Sequence, residues 1–188
     1  MKINKGQYGY RDKNRKMRLS ITAVLILAIL AQLLARYLTD NQAAKNILTV
    51  MAILTVLPMA NMASPLIASW KYRTPPKGFY EKVRGYEEKC TIVYDLIVTT
   101  KEQIMPIDAA AVHPGGVYAY CTAPKLDTAK AEKALNALFT ANKLSPNVKI
   151  LQDEHSFLRR LDNLKPADSY EDDGSVAYGA ALLKSLSM

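Results

Sequence analysis

The sequence predicts a two-helix transmembrane hairpin followed by a small cytoplasmic α/β domain, of the α+β kind with a mixed sheet. Two observations predict the hairpin: apolar runs occupy residues 19–38 and 47–70, and only a short polar link separates them. A third observation predicts the domain, because amphipathic helices and β-branched strands follow one another there in the order α-β-β-β-α-β. A chain of 188 residues has room for both parts.

Each apolar run is long enough to cross a bilayer. A helix rises about 1.5 Å per residue, so about 20 residues cover a hydrocarbon core of roughly 30 Å. The first run carries no charge before Arg36, and the second ends at Trp70, a residue that suits a membrane interface. The first run is too long for the apolar segment of a cleaved signal peptide, and a second span follows it closely.

A few polar residues and prolines interrupt the apolar runs. Gln32 lies in the first run, and Pro58, Asn61 and Pro65 lie in the second. Because an amide in hydrocarbon needs a hydrogen-bond partner, we expect Asn61 to bond to the first helix, at Gln32. The alternative is a polar track through a carrier or channel subunit, but two spans without an intramembrane carboxylate make a poor transporter.

The net charge of +8 is concentrated around the hairpin. Residues 1–70 contain nine Lys or Arg against two acidic residues, whereas residues 71–188 contain sixteen against fifteen. For a multi-pass membrane protein with this hairpin, the positive-inside rule predicts both termini in the cytoplasm. Because two-span anchors of this kind are common in bacterial inner membranes, that membrane is the expected location. Because these basic residues would also attract anionic lipid headgroups, the charge does not call for a nucleic-acid partner.

The rest of the chain divides into three regions. Residues 1–18 are polar and basic, and we expect them to form a mobile or surface-lying arm. Residues 71–78 form a linker, in which Pro75 and Pro76 cannot continue the preceding helix. Residues 79–188 form the cytoplasmic domain, which is long enough for one modest core.

The domain is predicted to contain four strands and four helices. Its helices are expected at 79–89, 128–142, 153–164 and 176–186, and its strands at 90–99, 102–112, 117–122 and 148–152. The Pro-Gly-Gly sequence after His113 predicts a tight turn between the second and third strands. Asp127 is expected to cap the helix that follows it.

The two cysteines are expected to be core residues. Cys90 and Cys121 fit neither a CxxC motif nor zinc-ligand spacing, and a cytoplasmic domain would keep them reduced. The alternative is a thiol–imidazole pair of Cys121 with His113 or His155, but nothing in their spacing favours it. No cofactor is expected.

Residues 89–152 resemble the nuclease-related (NERD) domains of the restriction-endonuclease-like fold. The resemblance lies in IDAAAV at 107–112, the glycine turn, and GGVYAYCTA at 115–123. That family typically has Ile-Asp-His on the first of these strands and Glu-x-Lys at the end of the next. The resemblance aligns Asp108 with the family Asp, and it places Cys121 and Ala123 at the Glu and Lys positions.

These replacements decide what the resemblance implies. Related nucleases bind Mg²⁺ through Asp and Glu oxygens, and a neutral thiol is a poor ligand for that ion. Asp95, Glu102 and Lys125 are the residues that could replace the missing groups. The resemblance therefore implies a nuclease-like scaffold without nuclease chemistry. Independently of the resemblance, an Asp between two apolar stretches near a strand end is expected to pair with a lysine or cap a neighbouring turn, and the alternative for Asp108 is a metal role.

Two functions follow from these observations. The first is a membrane-anchored, non-catalytic module whose domain binds a protein partner or a second copy of itself, with the lipid bilayer as its other partner. The alternative is a membrane-tethered nucleic-acid-binding protein or metal-dependent nuclease-like enzyme. The near-neutral domain makes nucleic acid the less expected partner.

Overall fold

The computed structural model of the protein describes residues 3–100, 103–145, 147–171 and 173–188. The chain forms two compact units. One unit is residues 12–73, and the other combines the N-terminal residues up to Arg11 with those from Thr74 onward. The second unit is called the domain below.

Two long helices account for most of residues 12–73. Helix α1 is Tyr10–Leu38 and helix α2 is Gln42–Ser69, and both are long and apolar enough to span a membrane. The side chain of Asn41 accepts a hydrogen bond from the amide of Ala43 at 2.9 Å, which starts α2. Large apolar side chains are exposed along both helices, for example Val24, Leu27, Leu30, Leu34, Ile47, Val50, Ile53, Leu54 and Leu57.

The expected hydrogen bond between Asn61 and Gln32 is wrong. Gln32 Nε2 instead donates to Thr55 Oγ1 at 3.4 Å, and Asn61 is exposed. The physical reason is the orientation of α2 about its own axis, which turns Thr55 towards Gln32 and leaves Asn61 exposed. A helix that is apolar on every side carries no sequence signal for which face meets its neighbour.

The domain contains a four-stranded mixed sheet, as predicted. Its elements are α3 (Lys77–Arg84), β1 (Thr91–Thr99), β2 (Ile104–His113), β3 (Gly116–Tyr120), α4 (Thr128–Ala141), β4 (Val148–Leu151), α5 (Glu154–Asp162), a short 3₁₀ turn (Ala167–Ser169) and α6 (Ser175–Leu186). The strand order is β1-β2-β3-β4, with β1, β2 and β3 antiparallel and β4 parallel to β3. Asp127 caps α4 by accepting the Lys130 amide at 3.1 Å, which confirms the predicted cap.

Helices cover both faces of the sheet. On one face, α4 and α6 contribute Leu135, Phe139 and Leu183 to the larger core cluster. On the other face, α3 and α5 contribute Phe79 and Phe157 to a smaller, aromatic cluster. The sheet is therefore buried on both sides, which explains why β2 reads as an almost continuous apolar run.

The described N-terminal residues from Ile3 to Arg11 belong to the domain and those from Tyr10 onward are helical, which corrects the prediction of a mobile or surface-lying arm over residues 1–18. Helix α1 already begins at Tyr10, and Arg11 is buried in the domain. The carbonyl of Gly6 accepts a hydrogen bond from the amide of Tyr94 at 2.8 Å, along the outer edge of β1. The prediction was based on the basic composition of this segment. Composition cannot show that one of its cations, Arg11, is buried.

Both edges of the sheet are occupied. Further along β1, the amide of Ile97 donates to Ser187 Oγ at 3.0 Å. At the other edge, the amide of Val148 donates to Asn136 Oδ1 and the amide of Ile150 donates to Glu132 Oε1, each at 2.8 Å. These side chains of α4 take the place of a fifth strand.

Candidate functional site

Two carboxylates face each other inside the sheet. The register pairs Tyr94 with Ala109 and Leu96 with Ile107, so Asp95 on β1 lies opposite Asp108 on β2. Asp95 is 1% exposed and Asp108 is 2% exposed. A buried carboxylate is unfavourable unless it is paired and hydrogen-bonded. The two aspartates must therefore have a partner of opposite charge, which could be a protein side chain or a bound cation.

Both strands break their alternation at these aspartates. Val93 and Leu96 belong to the same core cluster although they are three positions apart, an odd offset that would put them on opposite faces of a regular strand, and the same holds for Ile107 and Ala110. Asp95 adopts a left-handed backbone with φ of 56°. Aspartate tolerates this conformation better than most residues. The two aspartates therefore lie where the regular alternation of side chains between the two faces of the sheet is interrupted.

Arg11 lies between the two carboxylates. Its Nη1 donates to Asp108 Oδ1 at 2.5 Å, and its Nε lies 3.9 Å from Asp95 Oδ1. Its Nη2 donates to the carbonyl of Leu96 at 2.8 Å. A guanidinium thus occupies the position in which a cation would have to bind both aspartates. Sequence analysis missed Arg11, because it counted that residue among the juxtamembrane charges.

The second oxygen of Asp108 is also engaged. Asp108 Oδ2 accepts hydrogen bonds from the amide of Thr122 at 3.0 Å and from its hydroxyl at 2.7 Å. Asp108 therefore pairs with an arginine where a lysine was expected, and it also caps the chain just after β3. Both of its oxygens are used within the protein, as in a structural ion pair.

Asp95 holds the chain on both sides of residues 12–73. Its Oδ2 accepts a hydrogen bond from the amide of Gly9 at 2.7 Å and another from Thr74 Oγ1 at 2.8 Å. Beside them, the hydroxyl of Tyr8 donates to the carbonyl of Pro75 at 2.8 Å. One buried carboxylate thus joins the segment that enters the two long helices to the segment that leaves them.

Burial dominates the electrostatics of Asp95. Removal from water raises the pKa of this carboxyl group above its ordinary value. The positive charge of Arg11 and the hydrogen bonds from Thr74 and Gly9 oppose that rise only in part. The ionised form of Asp95 is therefore less stable in the folded domain than in water, despite its guanidinium neighbour.

The other residues singled out by the sequence do not join this cluster. Burial raises the pKa of Cys121 to about 11, so its thiol is neutral near pH 7 and it packs in the apolar core. Ala123 packs against the edge of the same core, and Lys125 is exposed in a turn. Glu102 lies outside the described residues. Within the described ranges, no group of three or more His, Cys, Asp or Glu side chains is placed to hold a metal ion.

The remaining thiol and imidazole are accounted for by packing and backbone contacts. Cys90 is buried in the aromatic cluster, which confirms its predicted place in the core. His113 Nδ1 accepts the amide of Gly115 at 3.0 Å, and its Nε2 lies 3.0 Å from the carbonyl of Lys165. Both ring nitrogens of His113 therefore bond to the main chain and not to Cys121.

The arrangement is a buried ion cluster, here called the Arg11 cluster and defined by Arg11, Asp95 and Asp108. Three of its four carboxylate oxygens accept hydrogen bonds from protein donors, and its cation is an arginine of the same chain. Such a cluster can join distant segments of a fold. Among the described residues, Asp95 Oδ1 has no hydrogen-bond partner. No family model, no curated protein and no solved structure matches this chain, so the resemblance to NERD domains stays a prediction.

Proposed function

We propose that this chain is a membrane-anchored, non-catalytic module with a nuclease-like fold. In this proposal α1 and α2 cross a cell membrane as a hairpin, with both termini in the cytoplasm of a bacterium. The domain then serves as a protein interaction or scaffold domain at the cytoplasmic face of the membrane. The observation that carries the proposal is the Arg11 cluster, whose carboxylates bind protein groups where an enzyme would bind a metal ion.

The surface of residues 12–73 supports the membrane anchor. Only 6% of the apolar stretch of each helix is buried, whereas the core helices of soluble proteins are mostly buried. At the end of α2, the guanidinium carbon of Arg15 lies 5.8 Å from the ring of Trp70. A cation beside a tryptophan is the pairing that suits the headgroup region of a bilayer.

The edges of the sheet indicate how a protein partner would bind. A partner that adds a strand needs an open edge with free main-chain groups. Gly6 and Ser187 occupy the outer edge of β1, and side chains of α4 occupy that of β4. We therefore expect a partner to bind through helix surfaces of the domain, and not by strand addition.

Fractionation and protease accessibility test the anchor and its orientation. The full chain, expressed in a bacterium, should stay in the membrane pellet after alkaline carbonate extraction. Protease should digest the domain in inside-out vesicles and leave it intact in right-side-out vesicles. Release by carbonate would overturn the anchor, and digestion only in right-side-out vesicles would overturn the orientation.

Calorimetry with Mg²⁺ and Mn²⁺ tests the non-catalytic part of the proposal. The full chain in detergent should show no saturable binding, because Arg11 already pairs with both aspartates. The matched variant is Asp108→Asn, which removes one carboxylate and keeps the side-chain shape. Saturable binding to the wild type that is lost in Asp108→Asn would favour the metal-dependent nuclease.

A further inference from the structure

One stretch of α2 differs from the rest of the exposed surface of that helix. Between Leu57 and Ile67, the described structure exposes no large apolar side chain. The exposed residues within that stretch are Pro58, Ala60, Asn61 and Ser64. The apolar surface of α2 is thus interrupted by a patch of small and polar groups, centred on an uncharged amide.

Asn61 has hydrogen-bonding capacity that its own chain does not use. Its side chain bonds to no residue that the structure describes, since the polar contact between the helices is made by Gln32 and Thr55. The carbonyl of Asn61 also lacks its helical donor, because the residue four positions later is Pro65, which has no N–H. At this one exposed residue, the side-chain amide therefore has no hydrogen-bond partner among the described residues, and the main-chain carbonyl lacks the donor that a regular helix would supply.

The consequence depends on the proposed function, because it follows only if α2 spans a membrane. In water, an exposed asparagine is satisfied by the solvent. In hydrocarbon, an amide without a partner is unfavourable, and polar groups in spans are satisfied by neighbouring helices. An outward-facing Asn61 therefore calls for a second helix from outside the chain.

We infer that Asn61 is the centre of a contact between two copies of this chain within the bilayer. An amide carries both donors and an acceptor, so two asparagines can bond to each other reciprocally. Two copies with the same topology place Asn61 at the same depth, which suits a twofold axis along the membrane normal. The small side chains of Ala60 and Ser64 allow the two α2 helices to approach closely.

Counting subunits in vesicles tests this contact. The full chain, labelled with one fluorophore, is reconstituted in phosphatidylcholine–phosphatidylglycerol vesicles over a range of protein-to-lipid ratios. Photobleaching steps should reveal a monomer–dimer equilibrium. Asn61→Leu should weaken dimerisation by about threefold to thirtyfold, the range expected for a hydrogen bond between spans.

Two matched variants show whether the amide itself is responsible. Asn61→Gln keeps the amide, so its dimerisation constant should stay within about threefold of wild type. Leu30→Ala changes an exposed apolar residue of α1 and should leave dimerisation unchanged. A wild-type chain that bleaches in single steps at every density would overturn the inference, as would an Asn61→Leu variant that dimerises like wild type.

Carbonate extraction of the same vesicles separates this inference from the proposed function. A chain that resists extraction but stays monomeric overturns the dimer and leaves the anchor intact. A chain that carbonate releases overturns both, because the amide would then face water and need no partner.

Discussion

The two compact units of this protein treat apolar and polar groups in opposite ways. The helices of residues 12–73 expose large apolar side chains such as Leu27, which is 65% exposed, and they place Thr22 and Gln32 inward. The domain buries its apolar side chains, and its interior also contains the charged side chains of the Arg11 cluster. The difference is the one expected under the proposed membrane anchor, because a domain in water buries its apolar side chains whereas a membrane span exposes them to hydrocarbon.

The largest effect on stability is expected at the Arg11 cluster, where the interior of the domain is charged. Arg11→Ala leaves Asp95 and Asp108 buried without their cation, so the free energy of unfolding of the domain should fall by about 3–5 kcal/mol. Pulse proteolysis of the full chain across a urea series, in detergent micelles, measures this loss. Arg159→Ala, an exposed arginine on α5, is the control and should change stability by less than about 0.5 kcal/mol. A loss below about 1 kcal/mol for Arg11→Ala would show that the cluster does not stabilise the fold.

A pair of identical substitutions tests the comparison directly. Leu135 is 0% exposed in the core of the domain, whereas Leu30 on α1 is 56% exposed. Leu135→Ala should lower the free energy of unfolding of the domain by about 2–5 kcal/mol, through lost burial and a cavity. Leu30→Ala should leave that quantity unchanged in the same urea series. Equal losses for the two variants would break the contrast between the units.

Much of this architecture could be predicted because its signals are local. The apolar runs of α1 and α2, the cap at Asp127 and the order of elements in the domain each depend on residues that are close in sequence. Asp108 could be singled out through the resemblance, and its place near a strand end predicted that it would pair with a cation or cap a neighbouring turn.

The Arg11 cluster could not be completed from sequence. Arg11, in the first turn of α1, and Asp108 are 97 positions apart, so no spacing or periodicity connects them. Asp95 interrupts the alternation of β1 with a positive φ, and a strand pattern contains no information about that step. The wrong partner for Asn61 has a similar cause, since apolar helices do not encode which face packs inward.

The acidity of Asp95 gives a smaller effect that depends on pH. Burial raises the pKa of Asp95 in the folded domain above its value in the unfolded chain. At a pH above the folded-state pKa, the ionised carboxylate therefore lowers the free energy of unfolding. This loss of stability is relieved as the pH falls through the folded-state pKa and the carboxylate is protonated. Asp95→Asn does not titrate and tolerates the left-handed backbone. The stability of wild type relative to Asp95→Asn should therefore rise as the pH falls from neutrality through that pKa. Urea titrations of both variants at several pH values measure the difference, and a relative stability that falls towards acid would contradict the role of burial.

The smallest effect is expected inside the helical unit, where the polar contact is weak. Gln32 Nε2 donates to Thr55 Oγ1 at a long 3.4 Å, and Gln32 Oε1 is buried without a hydrogen bond among the described residues. Thr55→Val should therefore weaken the hairpin by only about 0.6 kcal/mol, the average for a hydrogen bond between spans. Gln32→Leu combined with Thr55→Val should be close to neutral, since both partners become apolar together. The fluorescence of Trp70, the one tryptophan of the chain, reports hairpin unfolding in micelles of increasing denaturing detergent. A double variant much less stable than Thr55→Val would mean that the amide of Gln32 stabilises the helix pair in its own right, and the helical unit would then depend on polar contacts as the domain does.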